Sequence, residues 1–141
     1  YKPSFIMIFG VGTDILEIER IKKILNKQNG KFIDRIYGSN EISFIKNKKN
    51  DLKYFLGKRF AAKEATWKAF NPKRGDGLIF KEIETLNDRN GKPYLFFSGK
   101  TERYIKDKEN ELKGKLKFDI SLSDERQYVI AFVVISLAPF G

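Results

Sequence analysis

Apolar positions along this chain follow two different periods. A contiguous apolar run at residues 5–9 leads into Val11, which is flanked by Gly10 and Gly12, and predicts a buried strand over 5–11. Ile18, Ile21 and Leu25 then recur at helical spacing. Thr13 or Asp14 can cap that helix, Glu17 and Glu19 suit its first turn, and Asn29-Gly30 closes it. A short helix is expected over 32–37, and Ser39 caps another through Ile42 and Ile45, followed by an exposed basic stretch at 46–49. The longest helix opens at Asp51, runs to about Phe70 and stops at Asn71-Pro72. Residues 71–77 read as a loop, 80–86 as a strand, 87–91 as a hairpin turn and 93–97 as the return strand. A charged amphipathic helix is expected over 101–112, a half-buried strand over 117–123 and a strongly apolar strand over 128–137. There is no repeat and no linker, and the helices mostly precede the strands. The pattern predicts a single α+β domain over 1–141: an antiparallel sheet packed with one long helix and several short ones.

Composition narrows the chemistry. The 141 residues are 41% apolar and include thirteen Phe, enough for a packed core. Cys and His are both absent. Disulfides, thiolate nucleophiles, Ser-His-Asp machinery and ordinary zinc sites are therefore excluded. Acid–base work falls to carboxylates, Lys, Tyr or water, and any metal should be a hard cation on oxygen ligands. The net charge of +10 predicts an acidic partner: nucleic acid, an anionic membrane, a phosphate-rich ligand or an acidic protein. Lys, Asn, Ile and Phe are all plentiful, so AT-rich coding also accounts for part of the excess. The run at 5–9 is far too short to span a bilayer. Because the chain starts at Tyr1 rather than Met, a trimmed start is expected.

Two phosphate-loop patterns fail. Gly10-Val11-Gly12 follows a strand, but the third glycine of a dinucleotide fingerprint would fall at Ile15. Gly99-Lys100-Thr101 lacks the earlier glycine of a P-loop, whose place holds Tyr94.

Two segments carry candidate chemistry. Asp14 follows a strand and two residues with little side chain; it is either an N-cap or a carboxylate placed to meet a ligand. In the segment 59–70, Glu64 and Lys68 share one helix face. On a helical wheel Leu52, Phe55, Leu56, Phe60, Trp67 and Phe70 form the apolar arc, and Arg59 and Lys63 project into it. Either a pocket for anionic groups receives these cations or they snorkel past a core edge. Joined, Asp14 and Glu64 can hold a hard divalent cation beside cations that neutralise phosphates, which is a phosphoryl-transfer arrangement.

Five segments carry a likeness: GVGTDILEIERI at 10–21, KFIDRIYGSNE at 31–41, FLGKRFAAKEATWKAF at 55–70, the IE…ND..GKP segment at 83–93 and ISLSDERQYVIAFVV at 120–134. Over nearly its whole length the chain resembles the holo-acyl-carrier-protein synthases, the small phosphopantetheinyl transferases. The resemblance implies transfer of 4′-phosphopantetheine from coenzyme A to a serine of apo-acyl carrier protein, releasing 3′,5′-ADP. It implies Asp14 and Glu64 as ligands of Mg²⁺, with Mn²⁺ as a substitute, and Lys68 beside the scissile phosphate. Glu64 is the implied side chain for deprotonating the serine, with metal-activated water as the other base. Arg59, Lys63, Gly91, Lys92, Pro93, Ser123 and Asp124 fall on positions lining the coenzyme A site. Arg20 and Arg35 fall on helices facing the acidic carrier protein, in agreement with the positive charge. A homotrimer with interface active sites is implied too, and the strand over 128–137 suits either that interface or the middle of the sheet.

Two departures stand out. Where the family often has His, this chain has Asp124, an anion that Lys73, Arg74 or Arg126 should offset. The glycine-rich turn after the long helix reads Asn71-Pro72-Lys73-Arg74-Gly75. The rival reading is a basic nucleic-acid-binding module whose Phe and Tyr stack on bases. A soluble enzyme in bacterial cytoplasm and one in the plastid of an AT-rich protozoan both fit, with no nucleic-acid or membrane partner.

Overall fold

Strand β5 (Tyr128–Pro139) sets the frame of the molecule. Its β-branched residues alternate across the pleat, so Val129, Ala131, Val133 and Ile135 are wholly buried on one face while Tyr128, Ile130 and Phe132 are exposed on the other. The computed structural model describes residues 6–28, 30–45 and 52–140. In it β5 lies between β1 (Met7–Glu17) and β4 (Gly114–Glu125), antiparallel to both. A second antiparallel pair joins β2 (Ile83–Asn87) to β3 (Pro93–Phe97). The architecture is the expected α+β one.

Strand β1 departs from expectation. It is longer than 5–11, and Met7, Ile8, Val11 and Ile15 are exposed. Within the sheet it pairs with β5 alone and so forms an edge, and among the described residues its outer face at Val11 and Ile15 stays open. Asp14 lies within this strand, opposite Ala131, and caps no helix. Helix α1 (Ile18–Gln28) begins only after Glu17.

The short helices α2 (Gly30–Ile36) and α3 (Ser39–Ile45) follow, then the long helix α4 (Leu52–Phe70). The expected basic stretch at 46–49 and the helix start at Asp51 lie outside the described residues. Ser39 is not the cap of α3. The Glu84 carboxylate takes that role, accepting from the Glu41 amide at 2.9 Å and from Asn40 Nδ2 at 2.8 Å. Helix α4 crosses the inner face of the large sheet. Its deepest face is built of small residues, Ala61, Ala62, Ala65 and Thr66, with Gly57 against Val129. Of the wheel's arc of large side chains, Phe55, Leu56 and Phe70 are buried in the core, while Leu52, Phe60 and Trp67 are half-buried on a flank.

Residues 80–82, expected as strand, form one turn of 3-10 helix. In the β2–β3 turn Asp88 Oδ1 accepts from the amides of Asn90 and Lys92, and Gly91 takes a φ of 82°. Helix α5 (Gly99–Leu112) packs beside β4 and ends on left-handed Lys113. One hydrophobic cluster draws on α1, α2, α4, α5, β1, β4 and β5. No described helix is long and apolar enough to cross a membrane.

Candidate active site

Two glycines bring strand and helix together. Gly10 and Gly12 lie on β1, and a Cβ at either would collide with the carbonyl oxygen of Ala69 or Ala65 respectively. Without side chains there, β1 lies directly on one turn of α4. Asp14 is the next residue on that same inner face, and the helix turn it meets carries Glu64 and Lys68. The Lys68 ammonium donates to the Thr13 carbonyl at 3.0 Å and to Asp14 Oδ1 at 3.1 Å. Burial, first, and the negative charge of Asp14, second, push the Glu64 carboxyl above its ordinary pKa; Lys68 and Arg20 pull it back. Asp14, Glu64, Lys68 and Arg20 thus form one electrostatic cluster, drawn from β1, α4 and α1.

The donor set suits a hard cation. Two carboxylates of like sign, with Glu64 raised first by burial and then by Asp14, would be relieved by a divalent ion. Among the described residues no group of three or more acidic side chains gathers to hold a metal. Asp14 and Glu64 would supply two oxygen ligands to such a cation, the donor type Mg²⁺ takes.

A cleft of about 640 Å³ opens further along α4, lined by Phe44, Tyr54, Phe55, Lys58, Arg59, Asn87, Gly91 and Asp124. Arg59 is only 6% exposed. Its guanidinium lies 3.8 Å from the centroid of the Phe55 ring and donates to Asn87 Oδ1 at 2.8 Å. Arg59 Nε is buried and has no partner among the described residues. Burial lowers the Arg59 pKa, while Glu41 and Tyr37 act to raise it. A buried donor left unpaired is costly and calls for an acceptor.

Several expected cleft residues lie elsewhere. Lys63 is wholly buried and its three donors go to Glu41 Oε1 at 2.7 Å, the Phe80 carbonyl at 2.9 Å and the Ile83 carbonyl at 2.5 Å. Glu41 also accepts from the amides of Gly38 and Thr85. An internal carboxylate, not a bound anion, resolves the wheel's conflict at Lys63. Burial drives the two groups in opposite directions, lowering the Lys63 pKa and raising that of Glu41, and each partner's charge opposes the shift. Lys92 and Pro93 line a separate groove with Asp88, Tyr94 and Asp119. Ser123 sits opposite Ile130 on the outer face of the sheet. Lys73 and Arg74 are exposed in the turn after α4, and the cation beside Asp124 is Lys58, at 3.9 Å. Arg20 and Arg35 are exposed on α1 and α2, and Arg35 also donates to Gln28 at 3.2 Å.

The sequence reading missed Phe44, Tyr54, Lys58 and Asn87. Tyr54 and Lys58 are one turn apart beside Phe55 and Arg59, so a wheel extended to polar positions finds them. Nothing in the local pattern marks Phe44.

A strand laid on a helix so that a lysine contacts one carboxylate and a second carboxylate feels its charge, beside a cleft with an unpaired guanidinium nitrogen, is an arrangement that suits phosphoryl transfer. The description "4'-phosphopantetheinyl transferase superfamily" belongs to the family whose model matches residues 10–133. A holo-[acyl-carrier-protein] synthase of Orientia tsutsugamushi is 41% identical over 135 residues, covering 92% of this chain and 98% of that one. The crystal structure of the holo-[acyl-carrier-protein] synthase from Neisseria meningitidis superposes with a TM-score of 0.81 at 32% identity, over 92% of this chain and 98% of that one. That of Bacillus anthracis, solved in complex with CoA (3',5'-ADP), gives 0.73 at 35% identity, over 95% and 99%. The chain belongs to the 4'-phosphopantetheinyl transferase superfamily, as an enzyme of its holo-[acyl-carrier-protein] synthase family. The nucleic-acid reading finds no support here: aromatic pairs such as Phe32–Tyr37, edge to face, and Phe70–Phe118, tilted, pack against one another around the core.

Proposed function

We propose that this chain transfers the 4′-phosphopantetheine group of coenzyme A to a serine of an apo-acyl carrier protein and releases 3′,5′-ADP. The observation that carries the reading is the contact of Lys68 on α4 with Asp14 on β1, which puts Glu64, one turn before Lys68, within reach of the Asp14 charge. Asp14 and Glu64 are the residues to hold Mg²⁺, or Mn²⁺ in its place. Such a cation supplies Lewis acidity and a template for the diphosphate.

The chain's own groups divide the rest of the work. The serine Oγ forms a bond to the phosphorus that carries pantetheine, and the bond from that phosphorus to the bridging diphosphate oxygen breaks. The serine proton passes to a Glu64 carboxylate oxygen, which burial and the neighbouring Asp14 charge make more basic than an ordinary carboxylate in the metal-free chain. Lys68 Nζ stabilises the charge left on the departing nucleotide. Arg59 Nε supplies a donor for an anionic group in the cleft, which Asn87, bonded to the same guanidinium, and Gly91 also line.

The single apolar cluster fits one transferase domain over 1–141. Acyl carrier proteins are acidic, and exposed Arg20 on α1, with Arg35 on α2, suits their capture. The exposed apolar outer face, with Ile15 opposite Ile130 and Phe132 beside them, suits a trimer interface. Lys58 and Lys68 are ten residues apart on one helix, about 15 Å along its axis. Sites completed where copies meet bring one chain's cleft to a neighbour's carboxylates. Incubation with apo-acyl carrier protein, coenzyme A and Mg²⁺ should add the phosphopantetheine mass to the carrier. Persistence of that gain in a chelator or in Glu64→Gln overturns the reading.

A further inference from the structure

The cleft wall holds a cation and an anion whose relation is unusual for a site that takes phosphates. Tyr54 and Lys58 lie one turn apart on α4, and both address the tight turn between β4 and β5. The Tyr54 hydroxyl donates to the Arg126 carbonyl at 2.6 Å, and Lys58 Nζ stands 3.9 Å from Asp124 Oδ1. Tyr54, Lys58 and Asp124 all line the cleft, next to Arg59 with its unpaired buried nitrogen. At 3.9 Å the pair attracts by charge without forming a hydrogen bond. Lys58 therefore sits in a compensated field while its donors stay free for a ligand. Arg126 takes a φ of 33°, and the tyrosine bond holds this turn, and with it Asp124, at the cleft.

We propose that Lys58 and Asp124 are a matched pair that sets how firmly the cleft grips its phosphorylated nucleotide: Lys58 donates to a phosphate, and Asp124 holds Lys58 on the wall while weakening the anion's hold. The pair rests on the reading that this cleft receives the nucleotide end of coenzyme A. In that reaction the substrate and the departing 3′,5′-ADP carry the same nucleotide, so whatever tightens the grip on one tightens it on the other. A carboxylate facing that nucleotide lets the product leave, and without Lys58 it would repel substrate and product alike.

Calorimetric titration of 3′,5′-ADP into the full chain tests this. Lys58→Met should weaken binding about tenfold, the loss of one charged hydrogen bond. Asp124→Asn should tighten it about fivefold, as expected for a screened surface charge. In the double variant binding should be tighter than in Lys58→Met alone, because a lone Asp124 is repulsive. Thermal melts of the variants should match the wild type. If Asp124→Asn binds no more tightly than wild type, or if Lys58→Met leaves the affinity unchanged, the pair has no such role. Arg59→Lys separates the two readings. Unchanged affinity there, or no binding by the wild type, removes the cleft reading and the pair with it. Weakened binding there with both pair variants unmoved overturns the pair alone.

Discussion

Lys68 sets its ammonium 3.1 Å from Asp14 Oδ1 across 54 residues of sequence. Glu64, one turn earlier on α4, is part buried and feels the charges of both Asp14 and Lys68. The contact joins β1 to α4 at the point where the chemistry is proposed.

Lys68→Ala removes the cation proposed to face the leaving group. Turnover should fall about 100-fold or more, the size of loss seen when one donor to developing charge is removed. The KM for coenzyme A should move far less, because the cleft around Arg59 is untouched. Initial rates of carrier modification at saturating substrate separate the two parameters.

Glu64 predicts a pH signature. Its folded-state pKa lies above the unfolded value, so the folded protein binds the extra proton between the two. Stability of the metal-free protein should therefore decline as pH rises from the ordinary carboxylate range through the raised pKa. Glu64→Gln should flatten that part of the curve and melt higher at neutral pH. Melting curves in chelator across pH 4–8 test it, and a stability that rises for wild type relative to the Gln variant contradicts the assignment.

Lys63 is structural. Lys63→Met strands the buried Glu41 carboxylate and should cost about 3–5 kcal/mol. Adding Glu41→Gln should restore part of the loss, because the stranded charge is then gone. Urea unfolding of the single and double variants measures both.

Gly12 is a test of placement. An added methyl at Gly12 meets the Ala65 carbonyl, which is backbone and cannot swing away. Gly12→Ala should destabilise by about 1–3 kcal/mol and lower turnover by more than its melting shift explains, because Asp14 moves with β1. Rates measured well below the melting transition isolate that displacement.

Phe132→Asp places a charge on the exposed outer face of β5 beside Ile15 and Ile130. The variant should sediment as a monomer and lose transferase activity, with the fold kept by the buried face of the same strand. A variant that remains assembled shows that the contact lies elsewhere.

Much of this molecule is legible in its residue pattern. The hairpin at 87–91, the long helix ending at Phe70 and the apolar C-terminal strand all appear where periodicity and turn chemistry put them. The errors share one cause, which is that a one-dimensional period cannot report what lies across a face. The apolar run before Gly10 looked buried because contiguous apolar residues fit a strand covered on both sides, yet β1 is covered on one. Asp14 looked like a cap because Glu17, Ile18 and Glu19 follow it closely, and the strand continued through it instead. Lys63 looked ligand-facing because its partner, Glu41, is 22 residues away and belongs to no shared motif. Lys58 was passed over for a similar reason: its carboxylate, Asp124, comes from the far hairpin.

Strand β1 draws all its ladder hydrogen bonds from β5, which follows every other described element in the order of synthesis. A ribosome therefore finishes Asp14, Glu64 and Lys68 long before it makes the strand that locks Asp14 in register opposite Ala131. A translation product that stops before β5 carries Asp14, Glu64 and Lys68 and still lacks the splint that aligns them, so the three take their places only once β5 has been made.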